Sequence, residues 1–370
     1  MLRKTLNSWS LHFLTLAVCC NGNIAAQESV IQKTPQEAAR QKLLSLFAGE
    51  WVSRGLYVAT KLEIADHLHS GPKSVSELAN LSQSNPESLH RLLQMLASFG
   101  IFEEISSDVF VNTDTSNLLV KTNQDTLHAL SLFYGEDINK SWSELFSAIQ
   151  TGIPAFELSF KQPVFSYFRG NPERAALFQD AMKEKSKAVI KSALSNYDFG
   201  QFNSICDVGG GYGQFMQAIL QKHPSVSGTV FELPEVIEKI KQQNQELEGD
   251  RCQLVAGDFF ISIPEGKDAY LLKSVIHDWE DLKAEAILKK CHQAMHSDSC
   301  LFLIEVVLQP GDKQSYAHCM DFLMLAITGG KERSLSSMTQ LLEASGFVLE
   351  SIYPTATEFS ILKLRKKQLS

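Results

Sequence analysis

The residues best placed to do chemistry sit in one short run, LLKSVIHDWE, from Leu271 to Glu280. An apolar segment with the composition of a buried strand ends at Lys273 and then delivers His277, Asp278 and Trp279 to the edge of its sheet. An imidazole at such an edge can take a proton near neutral pH. A carboxylate beside the ring strengthens that role, because it fixes the tautomer and stabilises the imidazolium form. Two carboxylates are candidates for that place: Glu305, inside the apolar run LFLIEVV where a charge needs a reason, and Glu332, in GGKERS after the next helix. A core histidine satisfied by one hydrogen bond is the alternative reading of His277 taken alone, so the rest of the chain decides.

The second constellation is a glycine loop with acids after it. SICDV ends in Asp207-Val208-Gly209-Gly210-Gly211-Tyr212-Gly213, and a helical pattern follows at once. Glycines at that place let the backbone turn sharply and approach a ligand close to the positive end of a helix. A dinucleotide fingerprint counted from Gly209 needs a third glycine at position 214, where Gln214 stands instead, so a nicotinamide cofactor is disfavoured. Glu232, about 20 residues on, is placed to accept hydrogen bonds from two ribose hydroxyls. Asp258 and Phe259, in GDFF, offer a carboxylate for an adenine amino group and a ring to lie against the base. Lys273 and His277 follow the fourth strand. In open parallel sheets ligands bind beyond the carboxyl ends of the strands, so this ordered series converges on one crevice.

Two kinds of element must position these residues. From Thr34 to about Tyr197 the apolar residues recur at three and four, the period of helices with a wide buried face. Within that stretch Ser74 and Glu77 form a capping box, Asn85 caps a helix that starts at Pro86, Gly100 stops it, and IFEEI pairs with VFVNT across SSD. Helix, turn, helix and hairpin look like a winged-helix unit. From Asn203 the period changes to short apolar runs (SICDV, GTVFE, CQLVAG, AYLLKSV and CLFLIEVV), each followed by a helix or loop. That alternation predicts an α/β fold, a parallel Rossmann-like sheet flanked by helices. GFVLESIYP and FSILKLR close the chain as an antiparallel pair. The expected division is a leader over 1–26, a winged-helix-like domain over 34–120, a helical region contributing to the substrate pocket over 121–200, and a ligand-binding catalytic domain over 201–370.

Composition narrows the function class. The 370 residues carry a formal net charge of −8, so no global field draws in nucleic acid. NPESLHRLLQMLASFG offers a would-be recognition helix only Arg91 and His90, which argues against a DNA-binding regulator. None of the seven cysteines makes a close CxxC pair with a histidine partner, so neither a zinc site nor a disulfide framework is expected; Cys206, Cys291 and Cys300 read as buried thiols. Arg3 and Lys4, an apolar stretch from Trp9 to Cys20, and NGNIAAQES after it are built like an export signal cleaved after Ala26. That stretch is too short to span a bilayer, and no other segment is a membrane candidate.

With these residues assembled, the chain resembles the class I S-adenosylmethionine-dependent O-methyltransferases of the small-molecule branch, which includes caffeic acid, acetylserotonin and bacterial hydroxyneurosporene and polyketide enzymes. The resemblance runs from about Ala38 to the C-terminus on DVGGGYG, GDFF, LLKSVIHDW, LIEVVL and GGKERS. It implies S-adenosylmethionine as cofactor, S-adenosylhomocysteine as product, no metal, and a homodimer formed through the N-terminal domain. It places Asp207, Gly209, Gly211, Glu232, Asp258, Phe259, Lys273 and Ser186 around the cofactor and makes His277 the general base flanked by Glu305 and Glu332. Phe178 and Met182 match its pocket-facing positions, and Trp279 and Met324 are further candidates for the acceptor site, as are Phe156, Phe165 and Phe322. A phenol with a pKa near 10 facing an imidazole near 6.5 leaves a deficit of about 3.5 units, roughly 5 kcal/mol. Glu232 stands where the family more often has aspartate, and Ser337 where a glutamate is frequent; both leave the acceptor open. An export signal and a cofactor kept in cytosol point to different compartments, and the two readings stay side by side. The rival functions are a winged-helix regulator and an inactive cofactor-binding scaffold.

Overall fold

The computed structural model describes residues 34–243, 247–309, 311 and 316–367, so the leader expected over 1–26 lies outside the described residues. The chain separates into two compact units, one ending at Asn123 and one starting at Gln124.

In the first unit, helix α1 (Pro35–Lys61) starts at a capping box in which Thr34 and Glu37 satisfy each other's backbone N–H groups. Helices α2 (Ile64–Leu68), α3 (Val75–Leu81) and α4 (Pro86–Ser98) follow. The capping box of Ser74 with Glu77 and the Asn85 cap before Pro86 form as the sequence predicts. Strands β2 (Phe102–Ser106) and β3 (Val109–Asn112) make the expected antiparallel hairpin, and the two-residue β1 (Lys73–Ser74) adds to β3. Leu78, Leu93, Leu96, Phe102 and Phe110 are buried between these pieces. Gly55 lets α1 approach α4: a Cβ there would stand 2.4 Å from the Met95 methyl. The outer face of α1 is left uncovered within this unit, with Leu43, Leu44, Leu46, Phe47 and Trp51 each more than half exposed.

The second unit is a twisted sheet with helices on its faces. Strands β4 (Ser204–Val208), β5 (Ser227–Glu232), β6 (Cys252–Ala256), β7 (Ala269–Lys273) and β8 (Cys300–Leu308) run parallel, whereas β10 (Phe347–Pro354) and β11 (Phe359–Lys366) form an antiparallel pair at one edge. The order across the sheet is β10-β11-β8-β7-β4-β5-β6. The short β9 (Arg333–Ser334) lies parallel to the end of β8, a pairing too brief to carry a strand pattern in the sequence. Successive connections from β4 go one way to β5 and β6 and the other way to β7 and β8, so β4 and β7 flank the point where the winding reverses. Two apolar clusters fill the faces, one around Phe199, Phe215, Ile219 and Phe302, the other around Ile276, Ile287, Leu288, Leu303 and Phe347. Cys206, Cys291 and Cys300 are buried thiols, as expected, and Cys252 is buried as well. No helix among the described residues is long and apolar enough to cross a membrane.

Candidate active site

The winding reversal opens a crevice of about 380 Å³ at the carboxyl ends of β4, β5, β6 and β7. Its floor is the glycine loop. Gly209, Gly211 and Gly213 have φ of 68°, 55° and 77°, a region where only glycine sits without strain. A Cβ on Gly209 would stand 3.0 Å from Val275 and 3.6 Å from Phe259, so the loop is flush against the residues after β7 and β6. Gly211 N–H donates to Glu232 Oε2 at 3.0 Å, and Leu233 N–H donates to Oε1 at 2.8 Å. Burial outweighs these donors and pushes the Glu232 carboxyl up to about 7. Asp258 and Phe259 line the crevice after β6, with Asp258 Oδ1 accepting from Phe260 N–H at 2.8 Å. Lys273 also lines it and donates to Ser186 Oγ at 2.9 Å.

At the other end stands a buried ionic cluster. His277 Nδ1 lies 2.7 Å from Glu332 Oε1 and 3.7 Å from Glu305 Oε2, while Nε2 is 3.8 Å from Asp278 Oδ1. Glu305 does two jobs, because its Oε1 also accepts from Val275 N–H at 3.0 Å and Ile276 N–H at 2.9 Å. That explains a carboxylate within an apolar strand: it pins the turn that carries His277. Burial alone would lower the pKa of His277, but Glu305, Glu332 and Asp278 together outweigh it and raise it to about 9. Burial raises the carboxyls in turn, Glu305 to about 7 and Asp278 to about 6, with the imidazolium opposing the rise.

Glycine loop, Glu232 and the buried histidine held between two glutamates meet at one crevice. A model of the O-methyltransferase domain matches residues 142–348, and a model of the O-methyltransferase dimerisation domain matches residues 44–122. The chain belongs to the S-adenosylmethionine-dependent O-methyltransferase family. The phenazine O-methyltransferase PhzM of Lysobacter antibioticus is 35% identical over 87% of this chain and 95% of its own. The phenazine-1-carboxylate N-methyltransferase of Pseudomonas aeruginosa is 33% identical over 85% of this chain and 94% of its own. Among solved structures, the neocarzinostatin-biosynthesis O-methyltransferase NcsB1, in complex with S-adenosylmethionine and 2-hydroxy-5-methyl naphthoic acid, superposes with a TM-score of 0.74 at 29% identity, covering 85% of this chain and 95% of that one.

Most of the site residues expected for this methyltransferase line the crevice, including Phe165, Phe178, Met182, Ser186, Trp279 and Met324. Phe165 stacks on Trp279 with ring centroids 5.4 Å apart, and Phe178 stacks on Phe168 at 4.7 Å. Five residues fall elsewhere. Glu305 and Glu332 are buried against the His277 ring and are not part of the lining. Asp207 is buried beneath the loop rather than in the crevice, with Oδ2 2.8 Å from where a Gly210 Cβ would be; burial raises it to about 6, against Lys273 and a hydrogen bond from the Met216 backbone. Its carboxylate acts on the loop and the following helix, not on the open space. Phe156 is packed in an aromatic core against Phe160 and Tyr167, and Phe322 is partly exposed against Trp142. A helical period says which face is apolar, but not which part of that face meets a cavity.

The structure adds residues that sequence reasoning passed over. Arg333, buried, donates to the carbonyl oxygens of Ile276 and Trp279 at 3.0 and 2.8 Å and pairs with Asp281 at 2.9 Å, clamping the turn from outside. Gly330 lets the GGKER backbone cross that turn: a Cβ there would lie 2.0 Å from His277 O, and Lys331 N–H donates to the same oxygen at 2.9 Å. Lys185 also lines the crevice, on the same stripe of helix Pro172–Asn196 as Phe178 and Met182 at helical spacing. The spacing was legible; its charge within an apolar stripe was the signal. We predict that Gly330→Ala lowers the unfolding free energy by on the order of 2 kcal/mol, read as a lower urea midpoint, because no flexible side chain is there to yield. Gly49→Ala, an exposed helical position with nothing within 4 Å, holds or gains stability. An unchanged midpoint for Gly330→Ala would show that the two backbones do not cross in this way.

Proposed function

We propose that this enzyme methylates a hydroxyl of a small aromatic acceptor, with His277 Nε2 taking the hydroxyl proton. The observation that carries the reading is the 2.7 Å contact of His277 Nδ1 with Glu332. A proton held on Nδ1 by that carboxylate leaves Nε2 as the acceptor nitrogen of a residue that lines the crevice. Glu305 and Glu332 then stabilise the imidazolium that forms. A pKa of about 9 brings the base within about one unit of a phenol, in place of the 3.5-unit gap of an unperturbed imidazole.

The glycine loop and Glu232 suit the cofactor of this family. Each Glu232 oxygen accepts one backbone N–H and keeps lone-pair capacity for a ribose hydroxyl. The positive-φ glycines keep side chains out of the space above the loop. When bound, S-adenosylmethionine supplies an electrophilic methyl group on a cationic sulfur. Gly209, Gly211, Glu232, Asp258, Phe259 and Lys273 hold it in this reading, with Ser186 steadying Lys273 and Asp207 steadying the loop; no metal is required. Phe178, Met182, Trp279 and Met324 exclude water and flatten the acceptor against the base. The substrates named for the phenazine and NcsB1 relatives are fused aromatic rings, which supports a planar acceptor. An N-methylating relative shows that acceptor atoms vary in the family, and the proton-accepting cluster supports oxygen here. The first unit is proposed to form a homodimer through the uncovered Leu44, Phe47 and Trp51 face of α1, consistent with its dimerisation-domain match.

Turnover by His277→Ala is predicted to fall about 10²–10⁴-fold, as removal of a general base would require. The base must be neutral to act and its pKa is raised, so it is protonated below about 9. With an acceptor that does not itself titrate there, kcat/KM rises about tenfold per pH unit below about pH 9 and levels off above it; a flat profile, or an alanine variant within a few-fold of wild type, contradicts the role. Glu232→Ala should weaken S-adenosylhomocysteine binding by about 1–3 kcal/mol through unpaired hydroxyls, and calorimetry giving an unchanged Kd would remove Glu232 from the site. Replacing Leu44 and Phe47 together by aspartate should turn a sedimenting dimer into a monomer. Wild type sedimenting as a monomer at micromolar concentration would refute the interface.

A further inference from the structure

The crevice contains a cation that the reaction proposed above does not use. Lys185 lines it on the stripe of helix Pro172–Asn196 that also presents Phe178 and Met182, four and three residues apart in turn. Its Nζ has Met320 Sδ as its hydrogen-bond partner, at 3.5 Å, a thioether that accepts weakly and neutralises nothing. Met320 belongs to helix Tyr316–Ile327, which also supplies Met324, so Lys185 stands at the acceptor end rather than the glycine-loop end. The other lysine lining this part of the crevice, Lys273, is engaged by Ser186.

The electrostatics agree with this placement. Burial lowers Lys185 to about 8, with Glu332, Asp278 and, least of the three, Glu358 drawing it back up and Lys273 pushing further down. The acids of the base cluster therefore act on it through space, yet none pairs with it among the described residues. An ammonium largely removed from water with no anionic partner is costly unless a ligand completes it. The wall around it is mostly apolar, Phe165, Phe178, Met182, Trp279 and Met324, with Asp278 as the lining carboxylate beside His277.

We infer that Lys185 pairs with a carboxylate carried by the acceptor, so that the substrate is a hydroxylated aromatic acid, its hydroxyl at His277 and its carboxylate at Lys185. This rests on the acceptor site proposed above and adds a specificity-determining residue to it. The pairing orients the ring: with the carboxylate held at one edge, one hydroxyl of several is presented to the base. It also excludes neutral phenols of the same shape, since these would leave the ammonium unpaired against an apolar ring.

The test uses the full-length enzyme saturated with S-adenosylhomocysteine for binding and with S-adenosylmethionine for turnover. Probes are matched pairs: hydroxynaphthoic and hydroxybenzoic acids against their methyl esters. Wild type should bind and methylate the acids at least tenfold better than the esters. Lys185→Met should bring that ratio to about one, and Lys185→Arg, which keeps the charge, should retain a preference of several-fold. Circular dichroism and unfolding midpoints establish that each variant is folded. Esters used as well as acids by wild type, or a preference that survives in Lys185→Met, overturns the inference while leaving His277 chemistry intact. Acids bound in a Lys185-dependent way without any turnover would uphold the carboxylate partner and defeat the methyl-transfer reading instead. Failure of every acid to bind the cofactor-product complex also overturns it.

Discussion

Burying an imidazole among three carboxylates is the constraint on which the second unit is organised. Such a cluster is costly in a protein interior unless each charge is met at close range. Glu332 meets His277 at 2.7 Å, and Glu305 meets both the ring and two backbone N–H groups. To satisfy these distances, β8 must place Glu305 beside the turn after β7, and the segment before β9 must cross over that turn from outside. The parallel pairing of β7 with β8 and the short pairing of β8 with β9 fix those two placements. Gly330 and Arg333 complete them, one by having no side chain at the crossing and the other by filling the carbonyl acceptors of the turn.

The same cluster decides how the histidine works. Desolvation and nearby anions act in opposite directions on an imidazole, and here the anions win. In the role proposed above, the result is a base closer to a phenol in proton affinity than an unperturbed imidazole, but largely protonated at neutral pH. Matching the acceptor costs population of the active form, a compromise intrinsic to a base whose strength comes from carboxylates. The glycine-loop end of the crevice works differently. Glu232 is held by backbone donors, and Asp207 lies against the loop from behind, so this end is shaped by backbone geometry rather than by an ionic network.

Between the two ends lies the apolar wall, and Lys185 breaks its uniformity. Positions Phe178, Met182 and Lys185 form a single stripe, so the helix that lines the apolar part of the crevice also brings in an ammonium whose hydrogen-bond partner is a thioether and not an anion. Charge placed in that stripe converts a shape filter into a chemical one.

Much of this was legible in the chain itself. The alternation of short apolar runs with helical periods fixed the parallel sheet, because strands buried on both faces and their covering helices have different periods. Capping residues marked the helix starts of the first unit, because Ser74, Asn85 and their partners act within four residues. The order Gly209, Glu232, Asp258, Lys273, His277 predicted one crevice, because each residue follows its own strand. What tertiary structure alone decided involves distance between segments far apart in sequence. The spacing of Gly330 and Arg333 from His277, more than 50 residues apart, leaves no local period to read. Whether Asp207 faces the ligand or supports the loop, and whether Phe156 and Phe322 reach the cavity, depends on which side of a packed layer a side chain meets. Lys185 shows the boundary between the two: sequence spacing put it on the stripe, and only the assembled crevice left its charge without an anion.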